Sequence, residues 1–81
     1  MSEEEIEREV QALCDRRGLT LRVDRSTRLA DAGLRSLDVS ELAIRVEERL
    51  GRELNVGAAV LRRLDTVDDL VQYLRSAVEA S

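Results

Sequence analysis

Apolar residues recur at helical spacing within residues 33–51, and this pattern constrains the fold more than any other feature of the chain. At 100° per residue, five of them fall within one stripe roughly 100° wide, as expected for a helix that buries one face. These five are Val39, Leu42, Ala43, Val46 and Leu50. Leu37 and Ile44 fall on the opposite side of the same helix, beside Glu41 and Glu48. A single core-facing stripe cannot bury both apolar sets.

The N-terminal segment predicts a helix from about Glu3 to Arg17. Its acidic residues lie at the positive end of the helix dipole, and its arginines lie at the negative end. Ser2 is the expected N-cap, and Gly18 is expected to end the helix. Cys14 lies near the apolar edge of this helix, which predicts a buried, unreactive thiol.

The C-terminal segment carries its own helix start signal. Thr66 is followed three residues later by Asp69, which is similar to a capping box. Tyr73 lies off the apolar stripe of this helix and is expected to be partly exposed. The stripe consists of Val67, Leu70, Val71, Leu74 and Val78.

Residues 18–35 are expected to form a long loop, and long ordered loops need apolar anchors or a function. Alternation within residues 19–23 could indicate a strand, but a lone strand would have no partner in this chain. We therefore interpret the segment as loop. Its predicted anchors are Leu19, Leu21, Val23, Leu29 and Leu34.

The composition favours helices over sheets. Tyr73 is the single aromatic residue, and the apolar positions are filled by Leu, Val and Ala, which pack helices well. A chain of 81 residues buries only a small core and has no room for an enclosed catalytic cleft. We predict one all-α domain spanning residues 1–81.

Charge and residue usage argue against several function classes. Thirteen arginines against seventeen acids leave a net charge of −4, the wrong sign for nucleic-acid binding. One cysteine and no histidine allow neither an intrachain disulfide nor a metal quartet, and no catalytic constellation is present. The N-terminus lacks signal-peptide features and no segment has membrane-spanning length. We expect a monomeric cytoplasmic protein that is not an enzyme and has no membrane partner.

Ser36 follows the glycine turn at Gly33 and lies at the start of the central helix. A helix N-terminus favours an anion, so a phosphate ester on Ser36 would lie in a pre-formed electrostatic niche. The alternative is that Ser36 is only an N-cap, and position alone favours this cap.

The outward residues Leu37, Glu41, Ile44 and Glu48, here called the docking strip, suggest a second function. The apolar pair supplies contact area, and the acids supply steering toward basic partners. The alternative is that isolated surface hydrophobes are ordinary and that Leu37 folds under the preceding loop.

The run DAGLRSLDVSELAIRVEERLG, residues 31–51, resembles the prosthetic-group segment of acyl carrier proteins. The resemblance implies a small four-helix bundle, with three main helices, one short helix and a long first loop. It further implies that Ser36 carries 4′-phosphopantetheine, derived from coenzyme A, whose thiol holds acyl groups as thioesters. Implied partners are a phosphopantetheinyl transferase and acyl-loading, condensing or tailoring enzymes. The implied partner contacts are Leu37, Asp38, Glu41, Ile44, Glu47 and Glu48.

Two departures from the family pattern bear on function. Arg35 stands where the family usually has Asp; it could pair with the phosphodiester or weaken recognition by a transferase. Residues 56–64 are apolar and then basic, where many fatty-acid carriers have an acidic turn. The arginine-for-lysine bias is compatible with a GC-rich bacterial genome.

The expected function is therefore an acyl carrier in bacterial polyketide, fatty-acid-like or other specialised-metabolite biosynthesis. Two alternatives stay open. One is an aminoacyl or peptidyl carrier of a nonribosomal pathway. The other is a degenerate carrier that acts as an unmodified helical interaction module.

Overall fold

Four helices make up the structure, a computed structural model that describes residues 1–19 and 22–80. In chain order they are α1 (Glu3–Arg16), α2 (Ser36–Leu50), α3 (Ala58–Leu61) and α4 (Val67–Ala80). α1 packs against both α2 and α4, and α3 is a single turn in the connection that leads to α4. The predicted all-α four-helix bundle is confirmed. α1 ends one residue earlier than predicted, and Arg17 is its C-cap.

The core lies between the three long helices, and the predicted stripes supply it. In α2 the first four stripe residues are buried and Leu50 is half-buried. All five stripe residues of α4 are buried, and Tyr73 is half-buried as predicted. Cys14 is buried as predicted, and this burial raises the pKa of its thiol. α1 contributes Ile6, Val10, Leu13 and Cys14 to the core.

Capping boxes begin α1 and α4; the sequence predicts Ser2 as the N-cap of α1 and the box at Thr66 and Asp69. The Ser2 hydroxyl accepts the Glu5 N–H at 3.2 Å, and the Glu5 carboxylate accepts the Ser2 N–H at 3.1 Å. Thr66 and Asp69 exchange the same pair of bonds, both at 3.1 Å. Each cap satisfies backbone donors that the first helical turn leaves unpaired, typically stabilising a helix by about 1 kcal/mol.

The long loop is attached to the start of α4 by backbone hydrogen bonds. Leu29 N–H donates to the Asp65 carbonyl at 2.8 Å, and Val67 N–H donates to the Thr27 carbonyl at 2.9 Å. Among the predicted anchors, Leu29 and Leu34 are buried and Leu19 and Val23 are half-buried. Leu21 lies outside the described residues. These bonds hold the loop, and therefore the turn before α2, against the rest of the bundle.

Arg25 links the loop to two helices through three carboxylates. Its Nε donates to Glu7 at 2.9 Å, and its Nη1 donates to Glu3 at 3.1 Å and to Asp68 at 3.0 Å. The hydrogen bond from Arg25 lowers the pKa of Glu3 below its ordinary value, and the bond to Glu7 raises the pKa of Arg25. The cluster therefore depends on ionised carboxylates.

This cluster predicts a stability that falls in acid. Because the pKa of Glu3 is lowered by folding, its contribution is complete above its ordinary pKa of 4.5 and is lost as the pH falls through the folded-state value. We expect Arg25→Gln to flatten this acid-side decrease in the free energy of unfolding. Arg45→Gln, at an exposed α2 position, is the matched control. Urea denaturation across a pH series measures the effect, and identical pH profiles for the two variants would contradict it.

Candidate functional site

The start of α2 is capped from inside the helix. Arg35 is the N-cap residue with extended backbone angles (φ −111°, ψ 173°), and Ser36 is the first helical residue. The Asp38 carboxylate reaches back and accepts the Arg35 N–H at 2.8 Å. The reading of Ser36 as the N-cap is therefore wrong. Asp38, the third helical residue, accepts the N–H of the N-cap residue, and the serine hydroxyl takes no part in capping.

Ser36 is exposed, and its hydroxyl makes no hydrogen bond within residues 1–19 and 22–80. The N–H groups of Ser36, Leu37 and Asp38 belong to the first helical turn, which has no intrahelical acceptors for them. No side chain caps them in the described part of the chain. Free donors and the positive end of the helix dipole thus surround an accessible oxygen, an arrangement that fits a phosphate ester.

Gly33 gives the turn before α2 its shape. Its φ of +78° lies in the left-handed region that side chains disfavour. The adjoining Leu34 N–H donates to the Leu29 carbonyl at 2.9 Å, and Leu34 is buried. The glycine turn therefore directs the chain out of the core just before Ser36, as the sequence predicts.

Arg17 holds this turn to the end of α1. Its Nη1 donates to the Gly33 carbonyl at 3.0 Å and to the Asp38 carboxylate. Asp38 is only 8% exposed and is the one buried charged residue of the described chain. The sequence suggested Arg17 only as a helix-dipole partner, because nothing local indicates a contact between residues 21 positions apart. Arg17 and Asp38 together fix the position of Ser36.

The structure separates the implied partner contacts into two groups. Leu37 is 81% exposed and Ile44 is 53% exposed, so Leu37 does not fold under the preceding loop. Glu41 and Glu48 are also exposed. Glu47 is half-buried, and its carboxylate accepts the Leu54 N–H at 2.7 Å. Like Asp38, it is already used inside the protein, so the free surface consists of the docking strip.

A cleft of about 310 Å³ opens beside Ser36, between the loop, the first turn of α2 and the end of α3. Its walls are formed by aliphatic side chains together with Ser36, two arginines and one aspartate. Leu61 also lines a second hollow of about 270 Å³ between α2 and α3. The residues of the first cleft are Leu29, Ala30, Leu34, Arg35, Ser36, Val39, Leu61, Arg62, Leu64 and Asp65.

A metal site and a membrane-spanning helix were also considered for the described residues. Within residues 1–19 and 22–80, no group of three or more cysteine and acidic side chains is placed to hold a metal ion. None of the helices in this part of the chain combines the length and the apolar character needed to cross a membrane.

The family described as "Phosphopantetheine attachment site" matches residues 4–74. The chain belongs to the phosphopantetheine carrier family. Its prosthetic group is 4′-phosphopantetheine, attached covalently to the carrier domain. A carrier of this type is not itself an enzyme; enzymes act on the group that it carries. No curated protein matches the carrier.

Solved structures similar to the carrier include two acyl carrier proteins. One is an acyl carrier protein from Thermotoga maritima, with 22% identity and a TM-score of 0.71, covering 95% of this chain and 89% of that chain. The other is 3-oxo-butyl acyl carrier protein, an intermediate mimic from the actinorhodin polyketide synthase in Streptomyces coelicolor. It shares 25% identity and a TM-score of 0.70, covering 100% of this chain and 94% of that chain. Both likenesses agree with the four-helix fold.

Proposed function

We propose that Ser36 is the attachment point of the prosthetic group and that the carrier holds acyl intermediates on it as thioesters. The observation that supports this most is the hydroxyl of Ser36, which is exposed and takes no part in capping the helix. At this helix start the Asp38 carboxylate accepts the N–H of the N-cap residue. Attachment therefore disturbs no hydrogen bond of the fold. The positive end of α2 stabilises the phosphodiester that results.

In the attachment reaction the carrier supplies the nucleophile, the Ser36 oxygen. With a phosphopantetheinyl transferase, the Ser36 oxygen displaces adenosine 3′,5′-bisphosphate from coenzyme A and forms a phosphodiester, while the hydroxyl proton passes to a base of the enzyme. The bound group supplies a terminal thiol for thioester formation. The carrier thereby presents its cargo to successive enzymes at a high effective concentration.

Incubation of the apo carrier with coenzyme A and a broad-specificity phosphopantetheinyl transferase tests this proposal. We expect intact-mass spectrometry to show a gain of one phosphopantetheine per chain. Absence of any gain, under conditions that modify another carrier in a parallel reaction, would favour the unmodified interaction module. Arg35 is the feature that favours that alternative, because its positive charge replaces the acid expected by many transferases.

The docking strip is the proposed contact surface for the transferase and for acyl-loading, condensing and tailoring enzymes. A small strip of exposed apolar side chains between acids suits partners that bind in turn. Electrostatic attraction speeds encounter, and a limited area keeps dissociation fast. In this role the carrier acts as a monomer in the cytoplasm, beside its enzymes.

Charge reversal tests the docking strip. We expect Glu41→Arg to slow loading by partner enzymes several-fold, mainly through a lower association rate and a changed salt dependence. Glu4→Arg makes the same charge change at an exposed position of α1 and is the matched control. Loading rates measured at several ionic strengths give the comparison. Equal rates for the two variants would remove the docking strip from the proposal.

The proposed cargo is an acyl group of bacterial polyketide, fatty-acid-like or other specialised-metabolite biosynthesis. The similarity to an acyl carrier protein of a polyketide synthase favours this assignment. The alternative is an aminoacyl or peptidyl cargo. Presenting the holo carrier to malonyl or acyl transferases and, separately, to adenylation enzymes distinguishes them. Loading by the adenylation enzymes alone would overturn the acyl assignment.

A further inference from the structure

We propose that Arg17 is a positioning residue for the attachment reaction. It makes no hydrogen bond to Ser36 and acts through Gly33 and Asp38, which lie on either side of the serine in the chain. In this role the residue that follows α1 holds the Ser36 oxygen where a transferase needs it. This inference rests on the proposed attachment at Ser36.

The guanidinium of Arg17 bonds the chain both before and after Ser36. Its Nη1 donates to the Gly33 carbonyl at 3.0 Å, and the same nitrogen donates to the Asp38 carboxylate. That carboxylate also accepts the Arg35 N–H at 2.8 Å. Ser36 therefore lies in a segment whose two ends are held by one side chain.

The contact between Arg17 and Asp38 is partly shielded from water. The side chain of Asp38 is 11% exposed and that of Arg17 is 38% exposed. Hydrogen bonds between two ionised groups are stronger than those between neutral groups, and a planar guanidinium holds its donors in a fixed geometry. Because α1 packs against both α2 and α4, Arg17 ties the start of α2 to the body of the bundle.

Position is what the carrier can contribute to this reaction besides the oxygen itself. The transferase supplies coenzyme A and the base. The rate then depends on how closely the Ser36 oxygen is aligned with the phosphorus that it attacks, and a misplacement of about 1 Å can cost about a hundredfold. Since the hydroxyl makes no hydrogen bond in the described chain, its place is set by the backbone to which Arg17 is bonded.

Arg16 provides a matched control. It precedes Arg17 in the chain, is exposed, and its side chain forms no hydrogen bond or ion pair with any described residue. Arg16→Gln removes the same positive charge from the same end of α1 and breaks none of these contacts. The two arginines therefore separate positioning from a general change of charge near the site.

Steady-state kinetics with the apo carrier, coenzyme A and a broad-specificity phosphopantetheinyl transferase test the inference. We expect Arg17→Gln to lower kcat about tenfold and to leave the KM for the carrier unchanged, since the docking strip is unaltered. Asp38→Asn should lower kcat in the same way, and the double variant should be little slower than either single variant. Arg17→Lys should recover part of the rate, and Arg16→Gln should match the unaltered carrier.

Amide nitrogen relaxation of the apo carriers provides a second measurement. We expect residues 33–38 to gain motion on the picosecond to nanosecond timescale in Arg17→Gln but not in Arg16→Gln. Circular dichroism at the assay temperature checks that every compared variant is folded. If Arg17→Gln does not fold, Asp38→Asn carries the kinetic test.

The outcomes separate this inference from the proposed function. If the unaltered carrier gains no phosphopantetheine, the proposed function fails and this inference fails with it. If the unaltered carrier is modified but the folded variants at Arg17 and Asp38 keep its kcat, or change KM alone, only the role of Arg17 is overturned. The same holds if Arg17→Gln and Arg16→Gln behave alike.

Discussion

Replacing Ser36 with alanine is expected to abolish phosphopantetheine attachment completely, whereas Ser40→Ala is expected to leave it intact. Ser40 lies one turn further along α2 and is half-buried. Of these two serines, only Ser36 combines an exposed oxygen with the free backbone donors of the first turn. Intact-mass spectrometry after incubation with coenzyme A and a transferase measures the effect.

The loss of attachment in Ser36→Ala is expected to come from the missing oxygen and not from a change in the fold. Because the Ser36 hydroxyl makes no hydrogen bond in the described chain, its removal should change the free energy of unfolding by no more than about 0.5 kcal/mol, as for most surface substitutions. Urea denaturation of the apo variants checks this. A mass gain that persists in Ser36→Ala would place the attachment on another residue.

The largest stability effect is expected from Leu70→Ala, with Leu37→Ala as its matched control. Leu70 is 0% exposed in the centre of the α4 stripe, whereas Leu37 is 81% exposed on α2. Truncating a buried leucine removes transfer free energy and leaves a cavity, a cost of about 2–5 kcal/mol. Since small domains are stable by only about 5–15 kcal/mol, Leu70→Ala should unfold at a much lower urea concentration.

The same change at Leu37 should leave the urea midpoint nearly unaltered and still impair loading by partner enzymes. Far-ultraviolet circular dichroism follows unfolding, and transfer assays follow loading. A large destabilisation by Leu37→Ala would show that this residue belongs to the core. Equal effects of the two substitutions would contradict the arrangement of the α2 and α4 stripes.

The fold could largely be predicted because its determinants are local. Helical spacing identified the stripes of α2 and α4, while Ser2 and the pair Thr66–Asp69 marked two helix starts, whose capping bonds lie within one turn. The turn at Gly33 could be predicted from the glycine itself. The φ of +78° found there lies in a region that other residues disfavour.

The contacts that position the site could not be predicted in this way. Arg17 bonds Asp38 across 21 positions and Arg25 bonds Asp68 across 43. With thirteen arginines and seventeen acids, the sequence offers too many equivalent pairings to choose among. The N-cap alternative for Ser36, which position alone favoured, is a different case. Asp38 at the third helical position was a readable signal, but the preference for serine at N-caps outweighed it.

Fragmentation mass spectrometry of the carrier isolated from its native cells, while its pathway is active, tests the central claim most directly. The account predicts a population that bears one phosphopantetheine, with or without cargo, on the peptide that contains Ser36. A carrier that is unmodified throughout, or modified at any other residue, would contradict it.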